Sequence, residues 1–444
     1  MRVGIIGAGV SGMTAAWMLR DDHDVTLMDR AARLGGHVET LPITVGRDTV
    51  HAELGPRFFF DSAYPYFLGL LRLLGAPIRW SDAMASFTHV PGAHTIVLPP
   101  KTPRHVASLL RSPRTVRHLL SLRRLISEQP RVAAGRDFAT TFEEYLVRGE
   151  YPAAFGPEFV YPFLAACWGA PLEQLRQFPV YSLLKGMPPG NKPGFYEVAG
   201  GMGEYVRRFG EALGATEVRL GAGIRRIEGG EKLAVEDDRG ERHLFDRLIV
   251  ATSARDAAVL LRGVAGAGEL QAAIASFGHF DTEIVIHGDA GFMPPDRRDW
   301  AHTNLFVEGE AAWMSDWQGL RQGVSVFRTW LPKGRALPRP LYGHRTFHHL
   351  LMSPENAVLQ RRIAALQGVA GVWVTGMYAV DVDNHESALL SALVPVMALA
   401  PRSKNLARLL GAVARDASHG LDVLPVVEPL PGGLPVRGPL ATGA

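Results

Sequence analysis

The feature that most restricts the fold is a run of glycines between two apolar segments at the start of the chain. Residues 1 to 37 read MRVGIIGAGVSGMTAAWMLRDDHDVTLMDRAARLGGH. Val3 to Ile6 is an apolar run of the length of a fully buried strand. Gly7-Ala8-Gly9-Val10-Ser11-Gly12 follows directly, and an alanine-rich helical segment runs from Met13 to Leu19. His23 to Met28 reads as a second strand, closed by Asp29. The three glycines act differently. Gly7 permits the tight turn, Gly9 lets a pyrophosphate reach the backbone, and Gly12 lets the helix lie close to the sheet. The N–H groups at the helix start, around Val10 and Ser11, then face the phosphates. Asp29 stands about 20 residues beyond Gly7, where an acidic side chain accepts hydrogen bonds from a ribose. The bland alternative is a glycine-rich turn of some other α/β protein. The succession of strand, turn, helix, strand and acid weighs against it.

Arg33-Leu34-Gly35-Gly36-His37 brings a second glycine pair against the same pyrophosphate, and Arg33 adds charge. With this segment the chain resembles the flavin-containing amine oxidase and phytoene desaturase superfamily, whose members carry a matching Arg-x-Gly-Gly-Arg. Here His37 replaces the usual final arginine, as in a bacterial branch of flavin oxidoreductases. The resemblance implies FAD. An NAD dehydrogenase would leave the Gly35-Gly36 pair unexplained. It further implies a Rossmann-type α/β FAD-binding domain built from residues 1–80, 198–275 and 365–400. A discontinuous α+β substrate domain is expected from a helical segment, 81–197, and an antiparallel sheet, 276–364. Residues 401–444 read as a basic helix and a Pro/Gly-rich, poorly ordered arm.

Two further segments carry the resemblance. TVHAELGPRFFF, Thr49 to Phe60, matches the superfamily's strand along the flavin ring, which implies that Gly55, Pro56, Arg57 and Phe58 lie near the isoalloxazine. A strand ending in a turn among core phenylalanines is the plain alternative. Near the C-terminus, Val372 to Thr375 reads as a strand ended by Gly376, and Asn384-His385-Glu386-Ser387 opens an apolar helix. The superfamily points this helix N-terminus at flavin N1 and O2, where its dipole stabilises the negative charge of reduced flavin. The pattern departs from the family at Asp383 or Asn384, where a glycine is usual, and at Ser391-Ala392, where Ser-Gly is usual. The loop is also about one residue longer. Ile224 is implied, by register, to touch adenine through its backbone.

Composition fits a soluble globular protein: 444 residues, 47% apolar, 20% charged, net charge +3. Nothing in that balance points to nucleic acid. Cys167 is the only cysteine, so no intrachain disulfide forms, and it is misplaced for a covalent flavin bond; non-covalent FAD is expected. The first strand begins at once, leaving no room for a signal peptide, and no apolar run is long enough to span a membrane. A cytoplasmic protein is expected, with peripheral contact at the inner membrane face as an open option. Lys101 to Arg131 holds eight Lys or Arg and one acid, Glu128, with leucines at helical spacing around a break near Pro113. Arg402 to Ala417 has a similar texture. Either stretch suits anionic lipid, or is a solvated face beside a buried stripe.

For chemistry, the cofactor supplies redox power and the protein supplies orientation, charge and dryness. Lys333 is one candidate for the lysine that many amine oxidases hold by flavin N5, and Lys185 is another. Arg57, Trp168, Tyr196 and Tyr378 are candidates to line the pocket, Arg57 for a carboxylate or polar head. His344 and His348 are four apart and would share a helix face, but the zinc-protease glutamate is Arg345 instead; no metal site is expected. The expected activity is oxidation of a C–N or C–C bond in a small or lipid-like substrate, with oxygen or another acceptor taking the electrons. A flavin-dependent isomerase without net redox change and a cofactor-free binding protein are the rival readings.

Overall fold

The computed structural model describes residues 1–60, 63–82, 84–90, 94–185, 187, 194–309, 311–382 and 384–417. The chain opens with β1 (Arg2–Ile6), α1 (Val10–Leu19), β2 (Asp24–Asp29), the hairpin β3 (Thr40–Val45) and β4 (Asp48–Glu53), and α2 (Pro65–Leu73). It continues through β5 (Ile78–Asp82), β6 (Ala85–Val90) and β7 (His94–Leu98). A helical stretch follows: α3 (Pro103–Leu110), α4 (Pro113–Gly135), α5 (Phe142–Arg148), α6 (Tyr161–Trp168), α7 (Leu172–Arg176) and α8 (Val180–Lys185). Then come β8 (Gly194–Val198), α9 (Met202–Ala212), β9 (Glu217–Leu220), β10 (Ile224–Glu228), β11 (Leu233–Asp237), β12 (Arg242–Phe245) and β13 (Arg247–Val250). Helices α10 (Ala254–Leu260) and α11 (Gly268–Ala275) lead to β14 (His279–His287), β15 (Thr303–Glu308), β16 (Ala311–Trp317), β17 (Phe327–Trp330) and β18 (Leu341–Leu350). The last elements are α12 (Pro354–Leu366), β19 (Val372–Val374), α13 (His385–Leu399) and α14 (Lys404–Ala417).

The dinucleotide-type unit is a five-stranded parallel sheet in the order β19-β13-β1-β2-β9. Its central strands are short apolar runs because helices cover both faces. β1 pairs with β2 and β13 in register, Gly4 lying between Thr26 and Leu248. Every residue of α1 is buried, as expected of a helix apolar on all sides. A Cβ on Gly12 would lie 1.8 Å from the Gly7 carbonyl oxygen. Only glycine therefore lets α1 start this close to β1.

The second unit is a seven-stranded sheet, β18-β14-β17-β16-β15-β6-β7. One part of it departs from the sequence reading. The segment expected to be helical, 81–197, supplies β6 and β7, with β6 parallel to β15. Residues 341–350 form β18 along the length of β14, inside the antiparallel sheet expected over 276–364, so the helix face considered for His344 and His348 does not form. Both are mixed runs of Thr, His and Phe whose alternation is visible only once a partner strand fixes which face is buried.

The basic stretch 101–131 does fold as two helices split at Pro113, each with proline in its first turn. Leu125 and Val132 are buried in the helical core, while Leu110 (68% exposed) and Leu120 (62%) face outward. The second basic stretch behaves differently. Leu406, Leu409 and Val413 of α14 are buried in the core that holds α1 and α2, which removes the apolar face that a lipid surface would need. Among the described residues, no helix is long and apolar enough to cross a membrane. The expected arm from 418 onward and the departure at Asp383 lie outside the described residues.

Candidate functional site

The two glycine loops meet. Gly35 donates its N–H to the Ala8 carbonyl at 2.9 Å, and a Cβ on Gly36 would sit 3.0 Å from the Cα of Gly9. α1 begins there at Gly9 with no side-chain cap, so Val10 and Ser11 present a positive helix end between two bare backbones. Ser11 turns its hydroxyl inward and donates to the Ala388 carbonyl at 2.7 Å, tying α1 to α13. Asp29 closes the turn, its carboxylate accepting from Ala8 N at 2.6 Å and Ala31 N at 2.7 Å. The stretch entering β10 lies against it: Ala222 N donates to the Asp29 carbonyl and Gly221 N to that of Ala31, both at 2.9 Å. Ile224 follows directly.

Arg33 braces the second loop. Its guanidinium donates to the Val38 carbonyl at 2.5 Å, the Gly36 carbonyl at 3.3 Å and the Glu39 carboxylate at 3.1 Å. Glu39 also takes Arg345 of β18 at 2.6 Å, so one carboxylate is shared between two guanidinium groups. His37 is exposed, with its ring edge-on to Phe347 of β18 at 5.4 Å.

Gly55 joins this loop to the next segment. A Cβ there would lie 1.9 Å from the His37 carbonyl oxygen, and Arg328 donates to the Gly55 carbonyl at 2.5 Å. Pro56 follows, half-buried. Arg57 stacks over Phe58 at 4.6 Å and pairs with Glu197 at 2.9 Å. Phe58 packs on the ring of His302 at 4.7 Å.

At the C-terminal end, Gly376 N donates to Ser391 Oγ at 2.8 Å, and Asn384 caps α13 by accepting from Ser387 N at 2.7 Å. Ala392, one of the two departures from the family pattern, is fully buried in the core. His385 Nε2 lies 2.8 Å from the Tyr205 hydroxyl. Burial, with His37 adding repulsion, pushes its pKa down to about 3, so the ring is neutral. Glu386 is buried and accepts from Tyr66 N and Phe67 N, each at 2.8 Å, which caps α2. Burial outweighs those bonds and pushes its pKa up to about 7. Lys185, at the end of α8, forms an ion pair with Asp381. Burial, helped by Arg136, pushes its pKa down to about 8.

Several candidates stand elsewhere. Lys333 is exposed in the loop between β17 and β18. Tyr378 is 2% exposed in the core beside β13 and α10, edge-on to Phe277. Tyr196 stacks on Phe59, and Trp168 packs against the helical core. His344 and His348 lie on a strand and meet Glu283 and Asp281 separately. Among the described residues, the group with metal-ligand spacing is Asp237, Glu241 and His243, where Asp237 already accepts from the N–H groups of Arg239 and Glu241 in a tight turn. Sequence reasoning missed the cluster of Arg79, Glu197, His302 and Arg321 around Arg57. The one available signal was Glu197, a lone acid inside the apolar run before Gly200-Gly201.

A helix N-terminus between two glycine loops, a second helix start next to it and a half-buried lysine can hold a dinucleotide and manage a proton. Comparison with known proteins agrees. Residues 10–378 match the family model of flavin containing amine oxidoreductases. No curated protein matches in sequence. The fold is similar to that of a CLA-producing fatty acid isomerase from P. acnes, with a TM-score of 0.64, 14% identity and coverage of 89% of this chain and 98% of that one. It is also similar to wild-type putrescine oxidase bound to putrescine, with a TM-score of 0.61, 15% identity and coverage of 90% and 100%. With most of its length matched, the chain belongs to the flavin containing amine oxidoreductase family and is an FAD-dependent oxidoreductase.

Proposed function

We propose that this enzyme oxidises a C–N or C–C bond of a small, partly apolar substrate, with FAD held non-covalently. The observation that carries the reading is the packing of Gly55 on the His37 carbonyl, with the Ser11 hydroxyl tying α1 to α13 through the Ala388 carbonyl. The three segments assigned to FAD thus converge at one place. Gly7, Gly9, Val10, Ser11, Gly12, Gly35 and Gly36 would hold the pyrophosphate, with Arg33 and His37 shaping that loop. Asp29 would take the ribose, and Ile224 would flank the adenine. Gly55, Pro56, Arg57 and Phe58 would lie along the flavin ring, and Gly376, Asn384, His385 and Glu386 would set α13 against its pyrimidine edge. The glycine cradle and the uncapped α1 fit such a group.

Bound there, FAD supplies the two-electron oxidation by accepting a hydride. Oxygen or another acceptor closes the cycle. Lys185 replaces Lys333 as the lysine of choice, because it is half-buried and paired with Asp381 beside the α13 start. With a pKa near 8 its Nζ exchanges a proton at mildly alkaline pH. Cys167 is half-buried, with its thiol pKa pushed up to about 12, which suits a non-covalent FAD. Lipid contact, if the substrate is membrane-borne, falls to α3 and α4, where Val106, Leu110 and Leu120 stand exposed among arginines.

The test is an absorption spectrum of the purified protein before and after denaturation. Flavin bands released wholly into the supernatant are expected. A colourless protein that takes up no added FAD would overturn the proposal.

A further inference from the structure

We propose that the cavity between β5, β8 and the turn after β16 is an oxyanion subsite, built to take the carboxylate or phosphate head of an amphiphilic substrate. The cavity has a volume of about 540 Å³. Three guanidinium groups stand in its wall around one carboxylate. Arg57 lies 2.9 Å from Glu197 Oε1, Arg79 lies 3.1 Å from Oε2, and Arg321 lies 3.8 Å from Oε2. Burial works against the Glu197 carboxylate, but His302, Arg57 and Arg79 hold its pKa well below the ordinary range, so it is ionised.

Among the described residues, no other group in the wall fully balances the remaining positive charge. Burial and the adjacent Arg57 hold the His302 pKa below its ordinary value, so that ring is neutral. Glu53 borders the cavity, but burial pushes its pKa up to about 7. His51 is exposed at the rim. At neutral pH the excess among these groups is therefore roughly one to two positive charges in a partly enclosed space, which draws in an anion. Arg57 gives the second, independent observation. Its side chain is only 10% exposed, and Nη1 is buried without a hydrogen-bond partner among the described residues. A buried guanidinium N–H is costly to leave unpaired, and an oxyanion supplies the missing acceptor in the forked geometry that arginine favours.

The rest of the wall suits a chain attached to that head. Trp80 is 55% exposed, and Leu320 and Met84 flank the opening. Arg57 sits between Pro56 and Phe58, so the head would be held one residue from the segment assigned to the flavin ring. That placement rests on the proposed function; binding of the anion itself does not.

The experiment is calorimetric titration of the full-length, FAD-loaded protein with octanoate and with octyl phosphate, using octylamine as the control. Saturable binding of at least one anion, and none of the amine, is expected. Preference for octanoate would identify a carboxylate head, and preference for octyl phosphate a phosphate head. Arg79→Gln and Arg321→Gln, whose side chains are nearly half exposed, should each weaken binding by about tenfold or more with flavin absorbance per protein unchanged. Absence of saturable anion binding, or affinity unchanged in both variants, would overturn the subsite. A yellow protein that binds no anion sinks the subsite alone. A colourless protein with arginine-dependent anion binding sinks the flavin reading and leaves the subsite standing.

Discussion

At the scale of single residues, the site depends on positions where nothing larger fits. Gly55 is the clearest, because the His37 carbonyl occupies the place of its missing side chain. Gly55→Ala must push the two loops apart, at a cost of about 1–3 kcal/mol, and should also lower the flavin content of purified protein. Thermal unfolding and absorbance together check this; a variant with wild-type melting and colour would show that the loops do not touch. Lys185 makes a second residue-scale prediction. If its neutral form takes the proton, turnover should rise as pH passes about 8, and Lys185→Met should abolish that limb of the profile. A limb that survives the substitution belongs to another group.

At the scale of elements, one buried carboxylate joins two helices. Glu386 on α13 caps α2, and its folded pKa is raised from 4.5 to about 7. The native state then holds a proton that the unfolded chain has released, so the stability from this group is present below 4.5 and lost as pH rises towards 7. In Glu386→Gln that part of the slope should vanish, leaving the contribution of Glu53, whose pKa is raised similarly. Urea titrations of both proteins from pH 4.5 to 7.5 check this; parallel curves would mean Glu386 does not titrate in the fold. The pattern Asn384-x-x-Ser387 announces the start of α13, but not that the residue between them caps a helix more than 300 positions away.

At the scale of the whole molecule, the two basic amphipathic stretches have different fates. α14 is sealed into the core, with Leu409 fully buried, so Leu409→Ala should cost about 2–5 kcal/mol and leave vesicle binding untouched. Leu110→Asp combined with Leu120→Asp should leave stability nearly unchanged and reduce co-sedimentation with anionic vesicles several-fold. Equal binding by this double variant and the wild type would remove α3 and α4 as a lipid-contact surface.

What the sequence determined by itself was everything written in local chemistry. Gly7 to Gly12, Asp29 and the Gly35-Gly36 pair fix a strand–turn–helix–strand unit because each position admits few other residues. Pro103 and Pro113 likewise mark two helix starts. Only the tertiary structure decided the rest. β6 and β18 became strands because partners were there to pair with them. Tyr378 went into the core and Lys333 to the surface, leaving Lys185 beside Asp381. Arg57, Arg79, Glu197, His302 and Arg321 come from five separate segments and meet only when the chain closes. Periodicity and turn chemistry act over a few residues, whereas burial and charge pairing depend on what the whole fold brings into contact.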